Sequence, residues 1–228
     1  MNKAGETQTF WAYEASPSLG PDIALLDNVQ FIYELILAQL ELKSLGVDFE
    51  TEGGLRAFRL INTSLGAEEK ARRRSAYCKA INKKPTDYFH IIQRNRTRSV
   101  NQYLTHWIYP YKGKFHPQMI RALLNIMGLG PGDTVLDPFM GSGTTALEAQ
   151  LLGINCVGVD ISPLCVLQSK VKAESIEVLD GIMSLGQRVR DKTGTPFLAA
   201  ENNALGEFIE AIAEERTRNF YKMAGWSP

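Results

Sequence analysis

Features typical of several protein classes are missing from this sequence of 228 residues. No apolar run approaches the roughly 18 residues that a membrane-spanning helix needs, so we expect no membrane span. The first residues lack the basic and then apolar pattern of a secretory signal. The three cysteines are widely spaced, which predicts neither a disulfide framework nor a zinc site. We therefore expect a cytoplasmic protein without a metal, in which Cys156 and Cys165 are reduced core residues.

An excess of charge of either sign is also missing, because the formal net charge is zero. The charge is nevertheless uneven along the chain. Residues 1–55 carry 2 basic and 9 acidic side chains, and residues 56–98 carry 12 basic and 3 acidic ones. The basic segment has the electrostatic character of a surface that faces nucleic-acid phosphates. It is equally compatible with a solvated helix face that answers the acidic segment before it.

The periodicity of apolar residues divides the chain into three predicted regions. Residues 1–98 are predicted to be helical, with one apolar helix over 22–46 and one basic helix over 66–82. Residues 99–173 contain a strand–helix–strand pattern and form a predicted cofactor-binding βαβ core. Residues 174–228 form a predicted helical C-terminal segment, because they lack the strand-like alternation that a continuing parallel sheet requires.

Within the predicted core, the boundaries are marked by proline and glycine. Pro117 suits the first position of a helix over 117–128. An apolar strand over 134–137 is followed by a glycine turn and by a helix over about 144–152. A second strand over 155–159 precedes a helix that begins at Pro163. Two further helices are predicted over 175–192 and 204–223.

A glycine-rich turn follows the first of these two strands and is the most informative part of the chain. The strand ends on Asp137, the turn contains Gly141 and Gly143, and the second strand ends on Asp160. Strand, glycine turn, helix, strand and acid in this order are typical of a nucleotide-type cofactor site at the carboxyl edge of a parallel sheet. The sequence therefore predicts an α/β fold with such a site.

Charge distinguishes the cofactors that this turn suits. A triphosphate loop needs a lysine after its last glycine, and Thr144 stands there instead. Residues 141–146 fit the G-x-G-x-x-A pattern of dinucleotide sites, which leaves a dehydrogenase open. However, Asp137 would repel a pyrophosphate by about 1–4 kcal/mol at 4 Å. S-adenosylmethionine has no phosphate, and a carboxylate attracts its ammonium and sulfonium groups, so charge favours this methyl donor.

Three motifs resemble those of the DNA amino-methyltransferases, which methylate N6 of adenine or N4 of cytosine. Residues 137–145 (DPFMGSGTT) resemble the cofactor motif, and residues 157–163 (VGVDISP) resemble the motif whose acid holds the ribose. Residues 114–118 (KFHPQ) resemble the motif that covers the methionine moiety. The resemblance spans about residues 103–173. It implies a Rossmann-like S-adenosylmethionine methyltransferase fold with a partial parallel sheet.

The resemblance also implies roles for single residues. Asp137 would face the methionine ammonium, Asp160 would bind the ribose, and Lys114 with His116 would meet the carboxylate. The implied cofactor site consists of Lys114, His116, Pro117, Asp137, Phe139, Gly141, Gly143, Thr144, Asp160 and Ile161. Each polar residue also has a structural alternative, since the acids suit turn caps, Lys114 a solvated position and His116 a helix cap. Gly158, in mid-strand, is expected to permit close packing of a helix.

The catalytic tetrapeptide of that family, a polar residue followed by Pro-Pro and an aromatic residue, is missing. No Pro-Pro pair occurs in the chain, so no catalytic residue is assigned. We expect a split or truncated enzyme whose partners are DNA and a second polypeptide that carries the tetrapeptide and target recognition. A degenerate cofactor-binding subunit and an unrecognised catalytic motif within 173–228 remain alternatives. An RNA guanine-N2 methyltransferase component and a non-catalytic nucleic-acid-binding subunit also stay open.

Overall fold

The computed structural model describes residues 21–52, 54–93, 100–109, 111–193 and 209–225. Strands β1 to β7 span Ile23–Leu25, Phe49–Thr51, Ala57–Leu60, Cys78–Ile81, Lys84–Pro85, Thr134–Asp137 and Asn155–Gly158. Helices α1 to α8 span Ile32–Ser44, Leu65–Arg74, Asp87–Gln93, Pro117–Ile126, Thr144–Leu151, Pro163–Glu174, Leu179–Thr193 and Glu215–Gly225. Short 3-10 helices lie at Val100–Gln102, Leu104–Trp107 and Ser175–Val178. The described chain is therefore a mixture of helices and strands.

The N-terminal region contains an antiparallel sheet of five strands in the order β2-β3-β1-β4-β5. The prediction of one helix over 22–46 is wrong for its first ten residues, because β1 occupies 23–25 and α1 begins only at Ile32. The predicted helix over 66–82 ends at Arg74, and Cys78–Ile81 forms β4 instead. The spacing of apolar residues predicted helices wrongly here because each strand has only two to four residues. Such short strands form through pairing with segments that are distant in sequence.

A fully buried polar seam joins this region to α4. The Glu41 carboxylate on α1 accepts hydrogen bonds from the backbone N–H of Ala76 at 2.9 Å and from Nδ2 of Asn125 at 2.7 Å. Burial raises the pKa of Glu41 to about 7. Arg74 Nε donates to Asn125 Oδ1 at 2.9 Å, and Gln118 Nε2 donates to the Ala76 carbonyl at 3.1 Å. Helix α4 therefore contacts both α1 and, on its other side, α5.

The βαβ pattern is present as predicted. Strands β6 and β7 pair in parallel from Thr134 opposite Asn155 to Asp137 opposite Gly158, with α5 between them along the chain. Helix α4 begins at Pro117 and α6 begins at Pro163. The Ser162 hydroxyl caps α6 by accepting from the backbone N–H of Cys165. These starts confirm the predictions because they depend on local capping and proline signals.

The two faces of the parallel pair differ in burial. Val135 and Cys156 point toward a core formed by α4, α5 and the turn after α5, in which Leu124 and Ala149 are buried. On the other face, Leu136 is 62% exposed and its neighbour in register, Val157, is 52% exposed. Parallel sheets normally have both faces covered. No described residue covers this second face to the degree that the first is covered.

The C-terminal segment is helical where it is described. A 3-10 turn leads into α7, in agreement with the predicted helix over 175–192, and α8 packs against α6. The first part of the helix predicted over 204–223 lies outside the described residues, and α8 begins at Glu215. None of the helices in the described ranges is long and apolar enough to span a bilayer. All three cysteines are unpaired thiols.

Candidate functional site

The glycine turn lies where β6 ends and α5 begins. Gly141 has a φ of +51° and Gly143 a φ of +77°, values of the left-handed region that glycine adopts without a steric penalty. Asp137 Oδ1 accepts from the backbone N–H of Phe139 at 3.1 Å. Asp137 therefore caps the turn through one oxygen, which is its structural alternative. A carboxylate has about four lone-pair sites, so this bond leaves capacity for a ligand.

Asp160 ties the end of β7 to the glycine turn. Its Oδ2 accepts from the backbone N–H of Gly141 at 2.8 Å, and its Oδ1 accepts from that of Ser162 at 2.8 Å. These two backbone hydrogen bonds hold the pKa of Asp160 below its ordinary value. The carboxylate is therefore ionised at neutral pH. Because Asp137 pairs with Gly158, two residues before Asp160, the structure brings both predicted acids to the same sheet edge.

Two glycines of the site lie in close contact with their neighbours, Gly143 with the backbone of α6 and Gly158 with a flexible side chain. A Cβ at Gly143 would lie 2.7 Å from Cα of Ser169 on α6, and a Cβ at Gly158 would lie 1.9 Å from Sδ of Met140. Gly158 thus permits close packing, as expected, although its neighbour is a side chain of the turn and not a helix. Gly143 seats α5 against α6, so the turn keeps its shape only if this position has no side chain.

Two large apolar side chains project from the same edge. Phe139 is 85% exposed, and Ile161 is fully exposed. Each stands directly beside an acid, since Phe139 follows Asp137 in the turn and Ile161 follows Asp160. Exposed apolar side chains rimmed by polar groups mark interaction sites more often than scattered single ones do. The edge thus offers carboxylates for polar groups and apolar surface for a flat ring.

Lys114 of the predicted methionine-covering motif is half-buried, so its structural alternative, a solvated position, is not realised. Lys114 Nζ donates to the backbone carbonyls of Asn101 at 2.9 Å and His106 at 3.2 Å. Burial lowers the pKa of Lys114. His116 precedes the first residue of α4, is exposed and makes no side-chain cap bond, while Pro117 is buried. The hydrogen bonds of Lys114 therefore hold the loop and are not made to the acids.

Tyr111 brings that loop to the glycine turn, and the sequence did not single it out for this role. Its ring atom Cε1 and its hydroxyl oxygen lie 3.5 Å from the position that a Cβ of Gly141 would take. The hydroxyl is 4.0 Å from Sγ of Cys165. The only available signal was its position in the aromatic stretch just before Lys114. Its contact shows that the loop before α4 covers part of the turn.

A buried charged cluster lies under the site and was also missed. Glu148 on α5 is fully buried and accepts hydrogen bonds from the Tyr103 hydroxyl, from His106 Nε2 at 2.9 Å and from Arg121 at 3.4 Å. The Tyr88 hydroxyl donates to that of Tyr103 at 3.0 Å. Burial is the main reason that the pKa of His106 is lowered. The cluster fixes α5 to α4 and to the loop that carries Lys114.

Lys172 on α6 is a second buried charge, and no residue in the described ranges supplies a compensating acid. Its ammonium is fully buried and has no hydrogen-bond partner among the described residues. Burial, and then repulsion from Lys114, lower the pKa of Lys172 to about 7. Because the pKa of Lys172 is lowered on folding, the stability of the protein depends on pH. The stability is highest above the unfolded pKa of 10.5, where this lysine is neutral in both states, and this contribution to it is lost as the pH falls through 7.

Replacing Lys172 by methionine should therefore stabilise the protein, and the gain should grow as the pH is lowered. We expect the free energy of unfolding to rise by about 1–3 kcal/mol at pH 6, because a buried unsatisfied group is removed. The gain should shrink toward pH 9, where the lysine is largely neutral when folded. Urea unfolding at pH 6, 7.5 and 9 measures it, with Lys170→Met, an exposed lysine on the same helix, as control. A gain independent of pH would contradict the assignment.

Much of the basic charge of residues 56–98 is bound within the chain. Arg59 pairs with Glu50, and Arg72 and Arg73 pair with Glu69. Arg74 donates to the backbone carbonyl of Leu129 at 2.6 Å. Residues 94–99, with three further arginines, lie outside the described residues. For the described arginines, these contacts favour a structural role within the chain over a surface that binds nucleic-acid phosphates.

Comparison with known proteins identifies the family. Residues 52–171, just over half of the chain, match the DNA methylase family of N6 and N4 methyltransferases. The chain belongs to this DNA amino-methyltransferase family. The resemblance carried by the three sequence motifs is thereby confirmed. The match includes both acids, the glycine turn and the loop before α4, so the site described above lies inside the family region.

Individual relatives match shorter segments. The type II methyltransferase M.MjaII of Methanocaldococcus jannaschii is 42% identical over 88 residues, which are 39% of this chain and 16% of the relative. M.BsoBI of Geobacillus stearothermophilus is 42% identical over 86 residues, 34% of this chain and 17% of the relative. A tRNA (guanine(10)-N2)-dimethyltransferase of M. jannaschii is 31% identical over 107 residues, 47% of this chain and 29% of the relative. The matched segment spans less than a third of each relative's length.

Proposed function

We propose that this chain is the S-adenosylmethionine-binding part of a DNA methyltransferase that acts on an exocyclic amino group, adenine N6 or cytosine N4. The observation that carries the proposal is the pair of carboxylates, Asp137 and Asp160, at one edge of the parallel pair, on either side of a left-handed glycine turn. Membership of the DNA methylase family supports it. We further propose that β6, α5 and β7 are the first part of a Rossmann-like sheet.

The residues at this edge fit the chemistry of the methyl donor. Asp137 would attract the methionine ammonium, and Asp160 would accept hydrogen bonds from the ribose hydroxyls, for which its oxygens retain lone pairs. Ile161 offers apolar surface for the adenine, and Phe139 would line the pocket beside the turn. Gly141 would lie against the cofactor, and Thr144, which is buried at the start of α5, would contribute through its backbone. A pyrophosphate would meet two carboxylates here, which disfavours a dinucleotide.

The carboxylate of the methionine moiety needs a positively polarised partner. His116 precedes the first turn of α4, whose leading backbone N–H groups favour an anion. Pro117 holds this helix start in place. Lys114 would not contact the carboxylate directly, because its ammonium is already bonded to the carbonyls of Asn101 and His106. We propose that His116 and the start of α4 meet the carboxylate, and that Lys114 positions the loop.

The base-binding half of the site is proposed to come from a second polypeptide. No Pro-Pro pair is present in the chain, so the family's catalytic tetrapeptide has no counterpart here. The proposal of this partner is supported by the exposed side chains of Leu136, Val157 and Val159. They form an apolar face of a parallel pair, and a parallel sheet is stable when both faces are covered.

Methyl transfer from a labelled donor tests the function. The chain would be incubated with labelled S-adenosylmethionine and either duplex DNA or tRNA, alone and with the polypeptide encoded next to it. We expect label in DNA only when both polypeptides are present, recovered as N6-methyladenine or N4-methylcytosine after nuclease digestion. Asp160→Ala should abolish the signal.

Two other outcomes would redirect the proposal. Label in tRNA, recovered as N2-methylguanine, would favour the RNA alternative, which the similarity to tRNA (guanine(10)-N2)-dimethyltransferases motivates. Label in neither nucleic acid, with both polypeptides folded, would contradict a methyltransferase that acts on nucleic acid.

A further inference from the structure

An open cavity of about 430 Å³ lies beside Asp160. Ile161, Val166, Leu167 and the exposed Lys170 line it on the side of α6, and Glu215 and Asn219 line it on the side of α8. Its volume lies at the lower end of the range for small-ligand pockets. Helix α8 was not expected to contribute to any site, since the resemblance ended near residue 173.

The position of α8 is fixed by its packing. Tyr221 is buried, and its hydroxyl donates to the backbone carbonyl of Ile182 at 2.7 Å. Thr217, one turn earlier on the same face, is also buried. Arg216 donates to Glu177 at the 3-10 turn before α7. Asn219 is consequently presented to the cavity from an anchored helix, half-buried, where competition from water is reduced.

The lining has the chemistry of an adenosine site. Asp160 suits ribose hydroxyls, and the apolar side chains of Ile161, Val166 and Leu167 suit the faces of a purine. On the side of α8, the Asn219 amide has one acceptor and two donors. The adenine edge presents a 6-amino donor beside the N1 acceptor, and a side-chain amide satisfies such a pair with two parallel bonds. Glu215 can only accept, so its carboxylate would repel the N1 lone pair, and Lys170 can only donate, so it cannot accept from the 6-amino group.

We propose that Asn219 is the residue of this chain that selects adenine in the cofactor, by accepting from the 6-amino group and donating to N1. The inference rests on the proposed binding of S-adenosylmethionine and names a determinant outside the family motifs. Helix α8 thereby becomes a wall of the cofactor site. The chain would discriminate against a cofactor whose purine lacks the 6-amino group.

Calorimetry with two probes tests this: S-adenosylhomocysteine and its analogue with unsubstituted purine in place of adenine. The wild-type chain should bind the adenine compound roughly 10-fold to 100-fold more tightly, because unsubstituted purine keeps N1 but leaves the Asn219 amide oxygen without its hydrogen bond in a partly buried site. Asn219→Leu, which keeps the size and removes both bonds, should reduce this preference to less than about threefold. Asn219→Asp keeps the acceptor for the 6-amino group and should retain part of the preference.

Lys222→Ala, on the same helix and paired with Glu210 instead of lining the cavity, is the matched control and should leave the preference unchanged. Circular dichroism establishes that each variant is folded. If folded Asn219→Leu and Asn219→Asp both keep the full wild-type preference, the role of Asn219 is overturned while cofactor binding stands. If the wild-type chain binds neither probe, the proposed function fails and this inference fails with it.

Discussion

Replacing Glu148 by alanine should lower the free energy of unfolding by about 3–5 kcal/mol, the cost of breaking a buried ion pair from one side. The Arg121 guanidinium, only 3% exposed, would lose its acid, and the Tyr103 and His106 side chains would lose their shared acceptor. Urea unfolding followed by circular dichroism measures the change. The start of α5, and with it the glycine turn, should loosen in the same variant.

Two control variants distinguish the loss of the Glu148 charge from the loss of its side-chain volume. Glu148→Gln keeps the side-chain volume and one acceptor, so its loss should be smaller than that of alanine. Gln150→Ala, at an exposed position of the same helix, should change the stability by less than about 0.5 kcal/mol. A loss below 1 kcal/mol for Glu148→Ala would show that the cluster does not bind α5 to α4.

Replacing Gly143 by alanine should destabilise the protein by about 2–5 kcal/mol. Two costs add: the left-handed φ of +77°, worth about 1–2 kcal/mol for a residue with a Cβ, and overpacking, worth about 1–3 kcal/mol. The overpacking arises because the new Cβ would lie 2.7 Å from the Cα of Ser169 and that backbone belongs to α6. Thermal and urea unfolding measure the sum.

Gly132→Ala is the matched control for the dihedral angle. Gly132 has a φ of +91°, and a Cβ there meets nothing within 4 Å. Its loss should be confined to the backbone cost, so the difference between the two variants measures the contact with Ser169. Equal losses in the two variants would show that α6 shifts freely and that the packing does not shape the turn.

The βαβ unit could be predicted because its signals are local. Pro117 and Pro163 mark helix starts, and Gly141 and Gly143 permit the turn between β6 and α5. The antiparallel sheet could not be predicted in the same way. Its strands are short, and β1 pairs with β4, so that Ile23 lies opposite Ile81. Information about such a pair is spread over a large separation in sequence, and helical spacing of apolar residues obscured it.

The same distinction holds for the site. Asp137 and Asp160 were found because acids at the ends of parallel strands share an edge. The inward position of Lys114 could not be found, since its acceptors are backbone carbonyls of the loop. Glu148 gave no signal because its partners lie 27 to 45 residues away. The region boundaries near residues 98 and 173 and the cytoplasmic location stay predictions.

Binding of S-adenosylmethionine to this chain, measured by titration calorimetry, tests the central claim most directly. We predict one site per chain, and at least tenfold weaker binding in Asp137→Asn and in Asp160→Asn, because hydrogen bonds to a charged group contribute about 1.5–3 kcal/mol. Asp133→Asn, an exposed acid just before β6, should bind as the wild type does. No heat of binding with the folded wild-type chain, or unchanged affinity in both acid variants, would contradict the account.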